Sequence, residues 1–323
     1  MSFQEWEIEL IGMHIMMQVN RKENGNKMAL TRRQFDILEL LIENDYSQRQ
    51  MCEKTGMSQR MINRTISELT DIGLVQGGQI TAAGKEAMEP YKVKRAVFFA
   101  AGLGSRLVPI TFNTPKPLVR IHGERIIDGL IDACLEAGIE EIYIVRGYLA
   151  DQFDLLLKKY PMLRFLENLE YKEANNISSA LVASHLFSNA YVLEADILME
   201  GNNLLKKYHY LSNILGVKKE YSDDWCGKVK NGTIRELTLG GTGDDNYRLY
   251  GISYWNNEDG ARLAEDIDTV YNSAGGKELY WDQVPLVFCK DHYVIELREC
   301  RDGDLVEIDT YGELKEIDRT YDV

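Results

Sequence analysis

The residues best suited to chemistry lie in one loop, Ala100–Leu118, with the sequence AAGLGSRLVPITFNTPKPL. Gly102 and Gly104 let the backbone approach a ligand closely and aim successive N–H groups at an anion. Arg106 and Lys116 add two positive charges to the same loop. A dinucleotide-binding loop would need a third glycine near Leu107 and an immediate helix, and a Walker loop would need Gly-Lys-Ser/Thr. Neither pattern is present. A bare Gly-x-Gly serves a turn as readily as a ligand, so the added Arg and Lys carry the chemical signal. Further on, Asn175–Ser179 (NNISS) opens a helix, with Ser178 the natural cap.

Positioning these groups is the task of alternating strands and helices. Ala96–Phe99 reads as a buried strand running straight into the glycine loop, followed by an amphipathic helix over Arg125–Ala137. Strands are expected at Glu141–Val145, Arg164–Leu166 and Tyr191–Leu193, with helices at Asp151–Lys159 and Ser178–His185. This alternation predicts an α/β domain over 94–323 with a mostly parallel sheet. Ligands on such sheets bind at the carboxyl ends of the strands, where the glycine loop lies.

The 323 residues, 45% of them apolar, suffice for two domains with real cores. The net charge of −14 excludes a nucleic-acid binder that works by overall positive charge. Residues 1–93 carry 11 basic and 13 acidic side chains, so nearly all the acidity belongs to the second part. The sequence has no long apolar run of membrane-spanning length, and MSFQEWEIEL does not read as a signal peptide. A soluble, cytoplasmic protein is expected. Five scattered cysteines without CxxC spacing give no expectation of a disulfide framework or a Cys-based zinc site, and no HExxH pair occurs.

Residues 28–90 form the smaller expected domain. Thr31 with Gln34 and Ser47 with Gln50 fit capping boxes, and Ser58 caps a third helix with Met61, Ile62, Ile66 and Leu69 on its inner face. Leu74–Thr81, centred on Gly77 and Gly78, reads as a hairpin. The order resembles the winged helix-turn-helix of bacterial transcription regulators, which implies that Gln59, Arg60, Asn63 and Arg64 would face a DNA major groove. With eight basic and nine acidic residues over 28–93, the electrostatic footprint for DNA is weak. Such domains also serve as dimerisation or docking modules, so a homo-oligomer through this unit is the competing expectation. Residues 1–27 are an extension with no assigned role.

Gly-x-Gly-x-Arg followed by Pro-Lys-Pro-Leu resembles the signature of nucleotidyltransferases that couple a nucleoside triphosphate to a phosphorylated small molecule. The resemblance implies that Ala101, Gly102, Gly104, Arg106 and Lys116 hold the nucleotide, with Arg106 and Lys116 acting in catalysis. It places Asn176 and Ser179 at the base, and it makes Asp196 and Asp309 the ligands of a Mg²⁺ cofactor. By themselves, Asp196 would be a helix cap and Asp309 a surface residue.

From Glu220 onward the chain resembles bacterial CTP:phosphocholine cytidylyltransferases of the LicC type. The matching segments are Asp224-Trp225, Tyr250–Trp255, Leu279–Asp282 and Glu307–Asp309. A quaternary ammonium donates no hydrogen bond, so aromatic faces and a nearby carboxylate must hold it. Trp225, Tyr254, Tyr280, Trp281 and Asp282 are the expected choline pocket. Similar enzymes accept 2-aminoethylphosphonate or phosphoethanolamine, and a transcription regulator with the transferase domain as sensor is the remaining alternative.

Overall fold

The computed structural model describes residues 29–44, 46–200 and 203–322. The extension 1–27 lies outside them. The chain divides into two compact units, with the boundary between Pro90 and Tyr91.

In the first unit, helices α1 (Arg32–Glu43), α2 (Gln48–Thr55) and α3 (Gln59–Asp71) precede strands β1 (Val75–Gln76) and β2 (Gln79–Ile80). Thr31 and Ser47 each close a capping box with the glutamine three residues on, and Ser58 accepts from the Met61 N–H. Ile62 and Leu69 are buried as expected, whereas Thr65 takes the inner place between them and Met61 and Ile66 are only half-buried. Gly77 and Gly78 both adopt positive φ at the tip of the hairpin. A further helix, α4 (Ala82–Met88), capped by Thr81, follows the wing and was not anticipated.

The second unit is built on a nine-stranded sheet. Its first half holds β3 (Arg95–Ala100), the short hairpin β4 (Arg120–Ile121) and β5 (Glu124–Arg125) outside the sheet, α5 (Ile126–Glu136), β6 (Glu141–Arg146), β7 (Arg164–Glu167), α6 (Ile177–Ala183) and β8 (Ala190–Glu194). The expected helix over Asp151–Lys159 is a tighter 3₁₀ coil over Ala150–Lys158. After β9 (Ile197–Met199) come four long-range strands, β10 (Asn213–Lys218), β11 (Tyr221–Lys230), β12 (Thr233–Thr242) and β13 (Asn246–Trp255). Helix α7 (Asn257–Tyr271), β14 (Glu296–Glu299), β15 (Leu305–Glu307) and α8 (Tyr311–Ile317) complete the chain.

Strands β8, β3, β6 and β7 are parallel, but β13 joins β8 antiparallel, and β11 pairs antiparallel with both β12 and β13. The sheet is therefore mixed, not mostly parallel. Hairpin connections explain the change: Asn231 and Gly232, both at positive φ, turn β11 back onto β12.

Strand alternation sorts the core into two layers. Ala96, Phe98 and Ala100 pack with Ile127, Leu130 and Ile131 of α5. Val97 and Phe99 pack with Ile177 and Ala180 of α6 and Leu263 and Ile267 of α7. A separate small cluster joins Leu107 and Ile126 to Ile308 and Leu314, fixing the glycine loop against the chain's last segment. Among the described residues, no helix is long and apolar enough to cross a membrane.

Candidate active site

The glycine loop leaves the carboxyl end of β3 and forms one wall of a cavity of about 420 Å³. Gly102 has open space where a side chain would point, so a ligand can reach its backbone. Gly104 sits at φ 61°, and a Cβ there would lie 3.0 Å from Thr111 Cγ2 and 3.1 Å from Lys116 Cβ. That close approach, with the Thr111 hydroxyl donating to the Gly104 carbonyl at 2.8 Å, seats the loop on the segment that carries Lys116. Tyr148 N–H donates to the Ala101 carbonyl and fixes the other side.

Lys116 Nζ lies 2.7 Å from Asp196 Oδ2 and 3.2 Å from Asp309 Oδ1. Burial alone would lower the lysine pKa, but the two carboxylates outweigh it and hold the group above its ordinary value. Arg106 reaches the same Asp309 oxygen at 2.9 Å, from an exposed position where solvent weakens the pair. Two local features bring the acids together. Strands β9 and β15 pair antiparallel with Glu307 opposite Ile197, and Leu107 and Ile308, the neighbours of Arg106 and Asp309, share one core cluster.

The far wall comes from α6. Asn176 Nδ2 donates to Glu194 Oε1 at 3.2 Å, and Asn176 Oδ1 accepts from the Trp281 N–H at 2.9 Å. Ser178 and Ser179 hydroxyls both accept from Asn168 Nδ2, at 2.9 and 3.0 Å. Asn176, Ser178, Ser179, Asn168, Tyr171 and Glu194 all line the cavity. Sequence reasoning missed Glu194, although it stands two residues before Asp196 at the carboxyl end of β8. Burial, then the nearby Asp196, Asp282 and Glu307, push its carboxyl well above the usual range.

The expected aromatic pocket is only partly assembled. Tyr280 lines the cavity; Trp225 does not, and its ring stands 6.0 Å from that of Tyr280. Trp281 does not line the cavity: it is 3% exposed and packs edge-on against Phe99 and Trp255. Tyr254 is fully buried in the opposite core layer, its hydroxyl bonded to Asn189. Neighbouring strand residues point to opposite faces, so Tyr254 cannot share a pocket with groups above Trp255. Asp282 does not line the cavity either; it is half-buried, with Oδ1 enclosed and lacking a hydrogen-bond partner. Desolvation raises its pKa to about 6, against two backbone N–H donors that lower it. Nearby, Arg248 binds Asp224 at 2.8 Å and Glu307 at 2.7 Å. Burial pushes Glu307 up to about 7 despite that guanidinium.

The chain aligns over 233 residues with the 2-aminoethylphosphonate cytidylyltransferase of Lancefieldella rimae, at 32% identity, covering 70% of this chain and 92% of that protein. The chain belongs to the nucleotidyltransferase family. Residues 95–229 match the nucleotidyl transferase family model, and residues 30–76 match a winged helix-turn-helix DNA-binding model. The choline-phosphate cytidylyltransferase of Haemophilus influenzae is 30% identical, over 69% of this chain and 95% of its own length. The solved CTP:phosphocholine cytidylyltransferase of Streptococcus pneumoniae superposes with a TM-score of 0.65 at 29% identity, covering 71% of this chain and 99% of that one. As a member of this family the protein is an enzyme.

Proposed function

We propose that the protein transfers the cytidylyl group of CTP to a small phosphorylated amine, with phosphocholine as the acceptor and CDP-choline and pyrophosphate as products. The observation that carries the reading is the convergence of Lys116, Arg106, Asp196 and Asp309 beside the glycine loop. Cytidylyltransferases acting on choline phosphate and on 2-aminoethylphosphonate, matched over nearly their whole lengths, support it. The five cysteines are free, which fits a reducing cytoplasm.

In the reaction an acceptor phosphate oxygen attacks the α-phosphorus of CTP, a new P–O bond forms, and the bond to the β-phosphate breaks. The leaving pyrophosphate takes the electron pair. The attacking phosphate is already ionised, so no side chain has to remove a proton. Two anions must be brought together, and the chain's part is alignment and charge neutralisation. The backbone around Ala101, Gly102 and Gly104, with Arg106 and Lys116, would hold the triphosphate. Asn176 and Ser179 would face the base.

Asp196 Oδ2 and Asp309 Oδ1 both lie within 3.2 Å of the ammonium of Lys116, so they already converge on one positive charge. Two carboxylates completed by phosphate oxygens and water form a donor set that suits Mg²⁺. Asp196 and Asp309 would hold that ion, which supplies further neutralisation of the phosphates when bound.

For the acceptor, Tyr280 supplies an aromatic face at the cavity for a quaternary ammonium, with the Trp225 ring packed edge-on against it. A second reading, an aminoethyl acceptor, is favoured by the enclosed Asp282 Oδ1, an acceptor lacking a donor. Pyrophosphate release with CTP and Mg²⁺ tests both, offering phosphocholine, phosphoethanolamine, 2-aminoethylphosphonate and glucose-1-phosphate separately. Rapid release with phosphocholine alone supports the first reading, and preference for an aminoethyl compound the second. Silence with all four removes these four acceptors and makes a regulator with the transferase domain as sensor the reading to pursue. The exposed Gln59, Arg60, Asn63 and Arg64 of α3 are the groups that would then contact DNA, and a mobility-shift assay with and without CDP-choline is the check.

A further inference from the structure

We propose that Asp266, Cys289 and His292 form a binding site for a borderline divalent cation of the zinc class, separate from the cavity beside the glycine loop. Asp266 lies in α7, Cys289 ends the wide helical turn Val284–Phe288, and His292 closes the next short turn. One donor atom from each residue lies within 4.8 Å of the others, and His292 Nδ1 is 2.8 Å from Asp266 Oδ2. Donors sharing one tetrahedral zinc stand roughly 3.3–3.8 Å apart, given bonds of about 2.0–2.3 Å. Small side-chain rotations therefore suffice to bring these three onto a common ion, with water in the fourth position.

The mixture of ligands decides the class of cation. Carboxylate alone would suit magnesium or calcium, whereas one thiolate, one imidazole and one carboxylate suit zinc and its neighbours. The surroundings already provide the outer supports that such a site needs. The buried Tyr293 hydroxyl donates to Asp266 Oδ2, and Arg262 donates to the His292 carbonyl at 3.1 Å. Tyr293 itself rests on the Trp255 ring, 5.7 Å away.

Binding takes no redox step. The Cys289 S–H proton is released, the sulfur lone pair binds the ion, and His292 offers Nδ1 with its proton on Nε2. Asp266 and the thiolate together balance the ion's charge. The scattered cysteines exclude a site built of cysteines, but a mixed site needs only one. The segment concerned also carries Tyr280: Cys289 N–H bonds the Val284 carbonyl, and Val284 N–H bonds the Trp281 carbonyl. A bound ion would brace that segment against α7.

The test uses the full chain freed of metal by a chelator and titrated with Co²⁺. A sulfur-to-cobalt charge-transfer band saturating at one equivalent is expected. Asp196 and Asp309 offer only oxygen and cannot produce that band, so the Asp196→Ala variant keeps it. Cys289→Ser abolishes the band, and His292→Gln weakens Co²⁺ affinity by about tenfold or more. Both variants melt like the metal-free wild type, because neither side chain is buried. No band in the wild type, a band that survives Cys289→Ser, or an affinity unchanged in His292→Gln overturns the proposal.

Discussion

Glu194 fills the space that a side chain on Gly251 would need: a Cβ there would lie 2.5 Å from both Glu194 Cγ and Oε2. The two residues sit on the neighbouring strands β8 and β13. The missing side chain lets a carboxyl reach Asn176 across the floor of the cavity. Gly251→Ala must therefore displace Glu194 and loosen Asn176, which also anchors residue 281. A stability loss of about 1–3 kcal/mol is expected from overpacking. Misplacement of cavity groups should lower kcat/KM up to about 100-fold. Equal activity and melting temperature in the variant would show that Glu194 has room to move and positions nothing.

The cluster around Lys116 makes a prediction with two readouts. Replacing Lys116 by Ala leaves Asp196 and Asp309 facing each other without the ammonium that joins them. The carboxylates keep about a third of their side-chain exposure, so the structural loss should be modest, about 2 kcal/mol. Turnover should fall by about 100-fold or more, as when a charge-stabilising group is removed elsewhere. Mg²⁺ should raise the melting temperature of Lys116→Ala more than that of wild type, since the cation replaces the missing charge. Asp196→Ala should abolish pyrophosphate release with the fold intact. A variant keeping a tenth of the wild-type rate would remove Asp196 from the reaction.

Short-range signals were legible and cross-strand ones were not. The glycine loop, its Arg and Lys, and the caps at Thr31, Ser47 and Ser58 are set by residues near one another in sequence. Glu194 escaped notice because its position depends on Gly251, a residue on another strand. Aromatic content drew Tyr254 and Trp281 into the pocket, but strand alternation decides which face each serves. Trp255 and Trp281 pack in one layer and Tyr254 in the other. The antiparallel half of the sheet was missed for a related reason, although Asn231-Gly232 is a hairpin turn signal between β11 and β12.

Tyr280 and Trp281 are adjacent in sequence yet should respond oppositely to truncation. Tyr280 is 44% exposed and lines the cavity, so Tyr280→Ala should raise KM for the amine acceptor about tenfold and leave stability nearly unchanged. Trp281 is 3% exposed within a cluster of aromatic rings, so Trp281→Ala should cost about 3–5 kcal/mol. Chemical denaturation and initial rates, run on both variants, separate the cases. An unchanged acceptor KM in Tyr280→Ala would move the acceptor away from this wall.

Asp282 makes stability depend on pH. Its pKa rises from 3.8 to about 6 in the fold, chiefly because burial disfavours the charge. Well below pH 3.8 the carboxyl is protonated in folded and unfolded chains alike and carries no penalty. Between about pH 4 and about pH 6 the unfolded chain ionises while the folded carboxyl keeps its proton, so stability falls by a total on the order of 2–3 kcal/mol, and above pH 6 both forms are ionised and the loss is complete. Glu307, raised to about 7, adds a loss of the same sign at slightly higher pH. Asp282→Asn cannot ionise, so the fall in unfolding free energy between about pH 4 and about pH 8 should shrink by the Asp282 share and keep the Glu307 share. Urea titrations of both proteins at the two pH values measure the difference. An undiminished fall would mean that water reaches this carboxylate. A saturating cationic acceptor should lessen the wild-type loss at high pH, because an ammonium beside the enclosed Oδ1 favours the ionised form.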